Sequence, residues 1–301
     1  MVFFVVVTYN SKNYITKCLD SIRLFESSSK IIVVDNYSQD NTLDLVKQYK
    51  DSIVFENSEN LGFGKANNIG IQHAMDSEAE FIYLLNHDAY LVESVIEKIK
   101  FSFQVNRDCG IISPLQLGQD ECSLEVNFAK FLFEEGTLAK MAIDGFSSNQ
   151  RREIYQTNFI QAASWMIRVD VIKRVGLFNP LFFHYGEDNE YLNRLKYHGF
   201  KVGILTNCKI VHLSNPLNLS HKKNYNAYHQ NRVFNNWLVN QLDINSQNDK
   251  VLLLKSVTPL VRGFFLTLFT LRFTEAYGRL SVLLRIFRVM HLILPTRSMY
   301  K

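Results

Sequence analysis

Short apolar runs alternate with stretches of helical period through the first third of the chain. "VFFVVV" (Val2–Val7) gives way to polar "TYNSKNY" and then to a helical pattern reaching about Phe25. "KIIVVD" follows, then "NYSQDNTLDLVKQYK" as turn and helix, "SIVFEN" as a short strand, "LGFGKANNIGIQHAM" as a glycine-opened helix and "EFIYLLN" as another strand. Apolar runs of this length between helices predict βαβ units, and so an α/β fold with a mainly parallel sheet covered by helices on both faces. Right-handed crossovers then set the carboxyl ends of these strands along one edge, where such sheets bind ligands.

Polar groups collect at that edge. The first strand ends in Thr8, Tyr9 and Asn10, the second in Asp35 and Asn36, and the fourth in Asn86, His87 and Asp88. Turn residues alone can explain each cluster, since Asn and Asp satisfy local backbone groups and start helices. Further on, "KIVHLSN" ends an apolar run at His212, and "GEDNEYLNRL" sets Glu187 and Asp188 at the start of a helical pattern, where the positive helix end favours carboxylates. The glycine-rich "NLGFGKANNIG" lacks the full G-x-G-x-x-G and follows the third strand rather than the first, which counts against a dinucleotide-dependent oxidoreductase.

Composition adds two points. With 301 residues and 47% hydrophobic content, the chain can bury a sizeable core. The net charge of +4 is uneven: residues 251–301 carry eight Lys or Arg and one Glu, or +7, leaving 25 basic and 28 acidic residues, or −3, elsewhere. From Lys250 to Leu294 the pattern is helical, with Arg262, Arg272, Arg279, Arg285 and Arg288 set among Leu and Phe. Its longest clean stretch, "GFFLTLFTL", falls well short of the roughly 20 residues of a membrane span. Two readings stay open: helices lying on an anionic membrane face, or helices packed on the body or paired in a homodimer. Cys18, Cys109, Cys122 and Cys208 show no metal or disulfide spacing and fit a reduced, cytoplasmic setting. The first apolar run is too short for a secretory leader and lacks a basic start.

"VVVTYNSKNYITKCLDSI", "IIVVDNYSQDNT", "ENLGFGKANNIGI", "LLNHDA" and "FFHYGEDNEYLNRLKYHGF", in this order and spacing, resemble glycosyltransferase family 2, and within it the rhamnosyltransferase-like branch. The resemblance covers roughly residues 2–214. It implies the GT-A nucleotide-diphospho-sugar transferase fold over residues 1–220, with a nucleotide-binding half to about residue 113 and an acceptor half beyond, followed by a helical region over 221–301. It implies an inverting transfer from a UDP- or dTDP-sugar to a hydroxyl of a saccharide or lipid-linked acceptor in cell-surface polysaccharide synthesis, at the inner face of the cell membrane and with no nucleic acid.

The resemblance also implies roles. Asp35 would accept a pyrimidine N–H, flanked by Thr8, Tyr9, Asn10 and Asn36. Gly64, Lys65, Asn68 and Asn86 would line the donor. Asp88 and His212 would hold a divalent cation, manganese or magnesium. Asp188 would be the general base, with Glu187 beside it. Two departures stand out. Asn86 replaces the first carboxylate of the family's D-x-D, and Glu190 replaces an Asp often found two residues after the base. The missing carboxylate leaves open a catalytically inactive, membrane-associated nucleotide-sugar-binding or scaffold protein. A glycoside hydrolase, needing two carboxylates but no nucleotide pocket, leaves Asp35 unexplained.

Overall fold

The computed structural model describes residues 1–147, 152–214, 227–246 and 249–301, so the expected boundary at residue 220 lies outside the described residues. In chain order the elements are β1 (Val2–Thr8), α1 (Ile15–Phe25), β2 (Lys30–Asp35), α2 (Thr42–Val46), β3 (Ser52–Glu56), α3 (Phe63–Asp76), β4 (Phe81–Leu85), β5 (Ala89–Leu91) and α4 (Ile96–Val105). There follow β6 (Cys109–Leu117), α5 (Val126–Glu134), α6 (Thr137–Phe146), β7 (Ile154–Thr157), β8 (Ser164–Arg168), α7 (Val169–Val175), α8 (Glu187–Tyr197) and β9 (Lys201–His212). Three helices close the chain: α9 (Ala227–Leu242), α10 (Asp249–Phe269) and α11 (Phe273–Met299).

All nine strands form one sheet in the order β3-β2-β1-β4-β8-β6-β9-β5, with β7 also on β9. The expected parallel character holds for β3, β2, β1 and β4. The other half is mixed, because β8 runs antiparallel to both β4 and β6 while β6 and β9 are parallel. Strand β1 shows why its sequence is apolar throughout. Phe3, Val5 and Val7 enter the core layer shared with α3, α5 and α8, while Val2, Phe4 and Val6 enter the layer shared with α1 and α4. Alternate side chains leave a strand on opposite faces, so a sheet covered on both sides needs apolar residues at every position. In register, Thr8 lies beside Asp35 and Asp35 beside Glu56. The strand order turns back between β1 and β4, which puts the ends of these two strands at the sheet's switch point.

The last three helices are not a detachable tail. They enclose a core of their own, with Phe234, Trp237, Val282 and Ile286, and Phe182 from the loop before α8 belongs to it. The chain end returns to α8, where the Tyr300 ring lies 3.9 Å from the Arg194 guanidinium. Arg194 is fully buried. It bonds both oxygens of Glu190 at 2.9 Å and donates to the carbonyls of Val175 at 2.6 Å and Leu177 at 2.8 Å. The sequence spacing puts Arg194 near the helix face of Glu187, but the structure pairs it with Glu190. That pairing takes Glu190 away from any acceptor and makes it an anchor for α8. Among the described residues, no helix is long and apolar enough to cross a membrane.

Removing one member of a buried ion pair strands the other. Glu190→Ala is therefore expected to destabilise the fold by about 3–5 kcal/mol in denaturant unfolding. A loss under 1 kcal/mol would show that Arg194 is held by the carbonyls and Tyr300 alone.

Candidate active site

The edge expected from the sequence exists, and part of it is closed by internal hydrogen bonds. The Thr8 hydroxyl donates to Asp35 Oδ1 at 2.9 Å, and the Ser38 N–H donates to Oδ2 at 3.0 Å. Each carboxylate oxygen can accept twice, so Asp35 keeps acceptor capacity for a ligand. Tyr9 is exposed beside it, with a ring face available. Asn10 sits in the left-handed region at φ 50°, where its side-chain oxygen accepts from Gln39 N–H at 2.8 Å and joins the loops after β1 and β2.

Three residues expected to touch a donor have other work. Asn36 is saturated: its amide donates to Asn60 and Gly62 and accepts from Asn57 and Leu61, fixing the loop before α3. Asn68 exchanges both of its amide bonds with the backbone of Phe178, at 2.8 and 2.9 Å, and so clamps α3 to the segment before α8. Gly64 supports the same junction, because a Cβ there would meet the Phe178 Cβ at 3.1 Å and the Glu187 Cβ at 3.6 Å. Gly62, at φ 83°, opens α3 where any side chain would overlap the Phe183 carbonyl. Lys65 is exposed on the first turn of α3.

Asp88 and His212 do meet. The short β5 pairs antiparallel with the end of β9, with Ala89 opposite His212, and Leu213 N–H donates to the Asp88 carbonyl at 2.9 Å. Asp88 Oδ1 lies 3.4 Å from His212 Nε2, buried and without a hydrogen bond of normal length. Burial opposes ionisation of Asp88, but the adjoining His212 and His87 outweigh it and hold the carboxyl below its ordinary range. His87, which sequence position alone leaves featureless, is thus part of the site's electrostatics; its Nδ1 lies 3.2 Å from the Val7 carbonyl.

Sequence reasoning missed Gln161. Its amide nitrogen is 3.2 Å from His212 Nδ1, 2.9 Å from Gln116 Oε1 and 3.2 Å from Glu125 Oε2. Glu125 in turn caps α5 through Asn127 and Phe128 N–H and bonds Ser214. The next two residues complete a junction. The Ala162 backbone N–H favours the ionised form of the Asp188 carboxylate, and the Ala163 carbonyl accepts from Asn86 N–H at 2.9 Å. Three consecutive residues therefore tie His212, Asp188 and the end of β4 together. Nothing in "FIQAASW" marks them, because two of the three contacts are made by backbone.

Glu187 and Asp188 open α8, yet the helix end does not dominate their protonation. Burial, followed by the neighbouring Asp188 charge, pushes Glu187 up to about 8. Burial pushes Asp188 up to about 6, against the bonds from Asn189 and Ala162. Glu187 Oε2 is buried without a partner. Burial raises both members of this coupled pair, so the two carboxyls do not ionise together near neutrality, a separation that acid–base chemistry uses.

The mixed sheet with this strand order, a polar switch point and paired carboxylates beyond it has the GT-A fold. The profile of "Glycosyl transferase family 2" matches residues 3–176, and the chain belongs to that family. It is a glycosyltransferase. It is 23% identical over 219 residues to the dTDP-rhamnosyl transferase RfbF of Shigella flexneri, covering 70% of this chain and 68% of that one. It is also 31% identical over 100 residues to the poly(ribitol-phosphate) beta-N-acetylglucosaminyltransferase TarS of Staphylococcus aureus, a match covering 31% of this chain and 17% of TarS. Among solved structures it shares its fold with TarS 1–349 in complex with UDP, at TM-score 0.55 and 18% identity over 84% of this chain and 69% of that one. The mannosyltransferase PcManGT of Pyrobaculum calidifontis, in complex with GDP-Man and Mn2+, aligns at TM-score 0.58 and 16% identity over 99% of this chain and 73% of that one.

The raised carboxyl values carry a stability consequence. The folded chain holds protons on Glu187 and Asp188 that the unfolded chain has released, so their contribution is full below the unfolded values and is lost as pH rises through about 6 and about 8. Glu187→Gln is expected to gain stability relative to the parent chain as pH rises from 5 to about 9, followed by thermal melting. A stability difference independent of pH would place the Glu187 carboxyl in contact with solvent.

Proposed function

We propose that the enzyme moves a sugar from a UDP- or dTDP-linked donor to a hydroxyl of a saccharide or lipid-linked acceptor, with inversion, in the synthesis of a cell-surface polysaccharide. The observation that supports this reading is the segment at residues 161–163, where the Gln161 amide lies 3.2 Å from His212 Nδ1 beside the Asp88–His212 pair and the Ala163 carbonyl accepts from Asn86 N–H at the end of β4. A transferase needs a diphosphate and an acceptor hydroxyl to meet there.

On the donor side, Asp35 would accept the pyrimidine N–H, with Tyr9 against the base. The Asn86 side-chain amide, without a hydrogen bond among the described residues, would face the donor. A divalent cation suits the residues present: Asp88 Oδ1 is a buried, unbonded anionic oxygen facing His212 Nε2, although no third Cys, His, Asp or Glu joins them among the described residues. With Gln161 donating to Nδ1, the His212 ring proton faces Asp88, so ligation there requires that proton to leave and the Gln161 amide to turn over. Manganese or magnesium held by this pair would supply positive charge against the departing diphosphate; one imidazole among the ligands favours manganese. The Asn86 departure from D-x-D is thus met by His212 from the far end of β9.

On the acceptor side, Asp188 takes the hydroxyl proton as the oxygen attacks the anomeric carbon and the bond from that carbon to the diphosphate oxygen breaks. Glu187, protonated beside it, adds no second negative charge. Residues 1 to about 113 supply the donor half and the following residues the acceptor half. The reaction belongs in the cytoplasm, where nucleotide sugars are made.

Two substitutions separate these roles. Asp188→Asn is expected to leave donor binding close to normal and to lower transfer by roughly a hundredfold or more. Asp88→Asn is expected to weaken metal-dependent donor binding and transfer together. Without substitution, UDP or dTDP is expected to raise the melting temperature more with manganese than with a chelator, by mass action on the folded state. Equal stabilisation in both conditions would remove Asp88 and His212 from the metal role. Loss of donor binding in Asp188→Asn would move Asp188 to the donor site. Near-normal transfer would make Glu187 the base.

A further inference from the structure

The outer face of the α10–α11 hairpin is apolar and uncovered. On α11, Phe273, Tyr277, Leu280, Leu284 and Phe287 recur every three or four residues as one exposed stripe. On α10, Phe265, Leu266 and Leu268 are exposed too. Exposure peaks around the turn, at 82% for Phe269, 72% for Leu271 and 73% for Tyr277. This is a second apolar face. Helix α11 already buries Leu283, Ile286 and Ile293 against the other closing helices. Single exposed leucines need no explanation, but a contiguous exposed patch does.

Leu271 adds an independent observation. Helix α10 closes with Arg272 N–H on the Thr267 carbonyl at 2.9 Å and Leu271 N–H on the Leu268 carbonyl at 3.1 Å. Leu271 stands at φ 57°, in the left-handed closing position that favours glycine or asparagine. A leucine there strains the backbone and sends most of its side chain into solvent, so it gains little from within the chain.

We propose that this hairpin tip docks onto a lipid bilayer with anionic headgroups, with Phe269, Leu271, Phe273 and Tyr277 entering the boundary between headgroups and acyl chains. Aromatic and aliphatic side chains on one face with basic residues around them are the composition of an interfacial helix. Arg262 and Arg288 are exposed on α10 and α11, Arg272 is exposed in the turn between them, where it pairs with Glu275, and residues 251–301 carry +7 overall. A second copy of the chain would set this charge against itself, whereas an anionic bilayer neutralises it. The basic pattern alone would have spread the contact along both helices. In the structure Arg285 is turned onto Asn231 and the Phe234 ring, and Arg297 onto the Gln241 and Ser246 carbonyls, so the contact narrows to the tip. The inference is independent of the transfer reaction and is tested without donor or acceptor.

The test uses the full chain in sedimentation with vesicles of phosphatidylcholine, alone or mixed with phosphatidylglycerol. The chain is expected to pellet with the mixed vesicles and far less with the neutral ones. Phe269→Ser combined with Leu271→Ser is expected to lower vesicle affinity at least about tenfold at an unchanged melting temperature, since both side chains face solvent. Leu271→Asn, which suits the left-handed backbone, is expected to weaken vesicle binding while keeping or raising the melting temperature. Failure of the full chain to bind mixed vesicles overturns the proposal, as does binding by both variants equal to that of the parent chain. So does a stable dimer that the double substitution converts to monomer, which would make this face a contact between copies.

Discussion

Gln161, Ala162 and Ala163 hold three parts of the site that are far apart in the chain. Gln161 contacts the His212 ring, the Ala162 N–H favours the ionised Asp188 carboxylate, and the Ala163 carbonyl receives the backbone N–H of Asn86. The segment leads directly into β8, which runs antiparallel beside β4, so its position follows from sheet register rather than from a flexible loop. In the proposed reading, that register lets a donor side built on β1, β2 and β4 face an acceptor side built on α8. Small side chains at 162 and 163 keep the backbone close enough to serve as donor and acceptor.

The same constraint governs the carboxylates. A helix N-terminus stabilises negative charge, typically by less than about 1 kcal/mol at an exposed site. Burial of Glu187 and Asp188 acts in the opposite direction and wins, so one carboxyl stays protonated near neutrality. Such a site can exist only if α8 cannot relax outward into water. Asn68 clamps Phe178 to α3, Gly64 lets the start of α8 approach α3, and Arg194 ties Glu190 to two carbonyls and to Tyr300 from the chain terminus. The closing helices are thereby joined to α8 through Tyr300.

The sequence made the strand–helix alternation legible because a sheet covered on both faces demands unbroken apolar runs, and it made Asp35, Asp88, Glu187 and Asp188 conspicuous because carboxylates seldom end or follow such runs without cause. It did not reveal that Asn36 spends its amide on the loop before α3 and Asn68 on the backbone of Phe178, since a buried structural asparagine and a ligand-binding one look alike in one dimension. Gln161 was hidden for the same reason. The antiparallel β8 was also unread, because "SWMIR" is short and its partners lie many residues away. In the last 51 residues, composition correctly marked helices rich in arginine, but only packing shows which arginines are turned inward and which apolar face is left uncovered.

The account stands on Asp188 being ionised at the pH of transfer beside a protonated Glu187. The most direct measurement is the pH dependence of kcat/KM for the acceptor at saturating donor, which reports the essential groups of the enzyme before the acceptor binds. It should rise between pH 5 and 7 with a midpoint near the value of about 6 that burial gives Asp188, and that limb should vanish from the residual activity of Asp188→Asn. A flat profile over this range, or the same limb persisting in Asp188→Asn, would contradict the account.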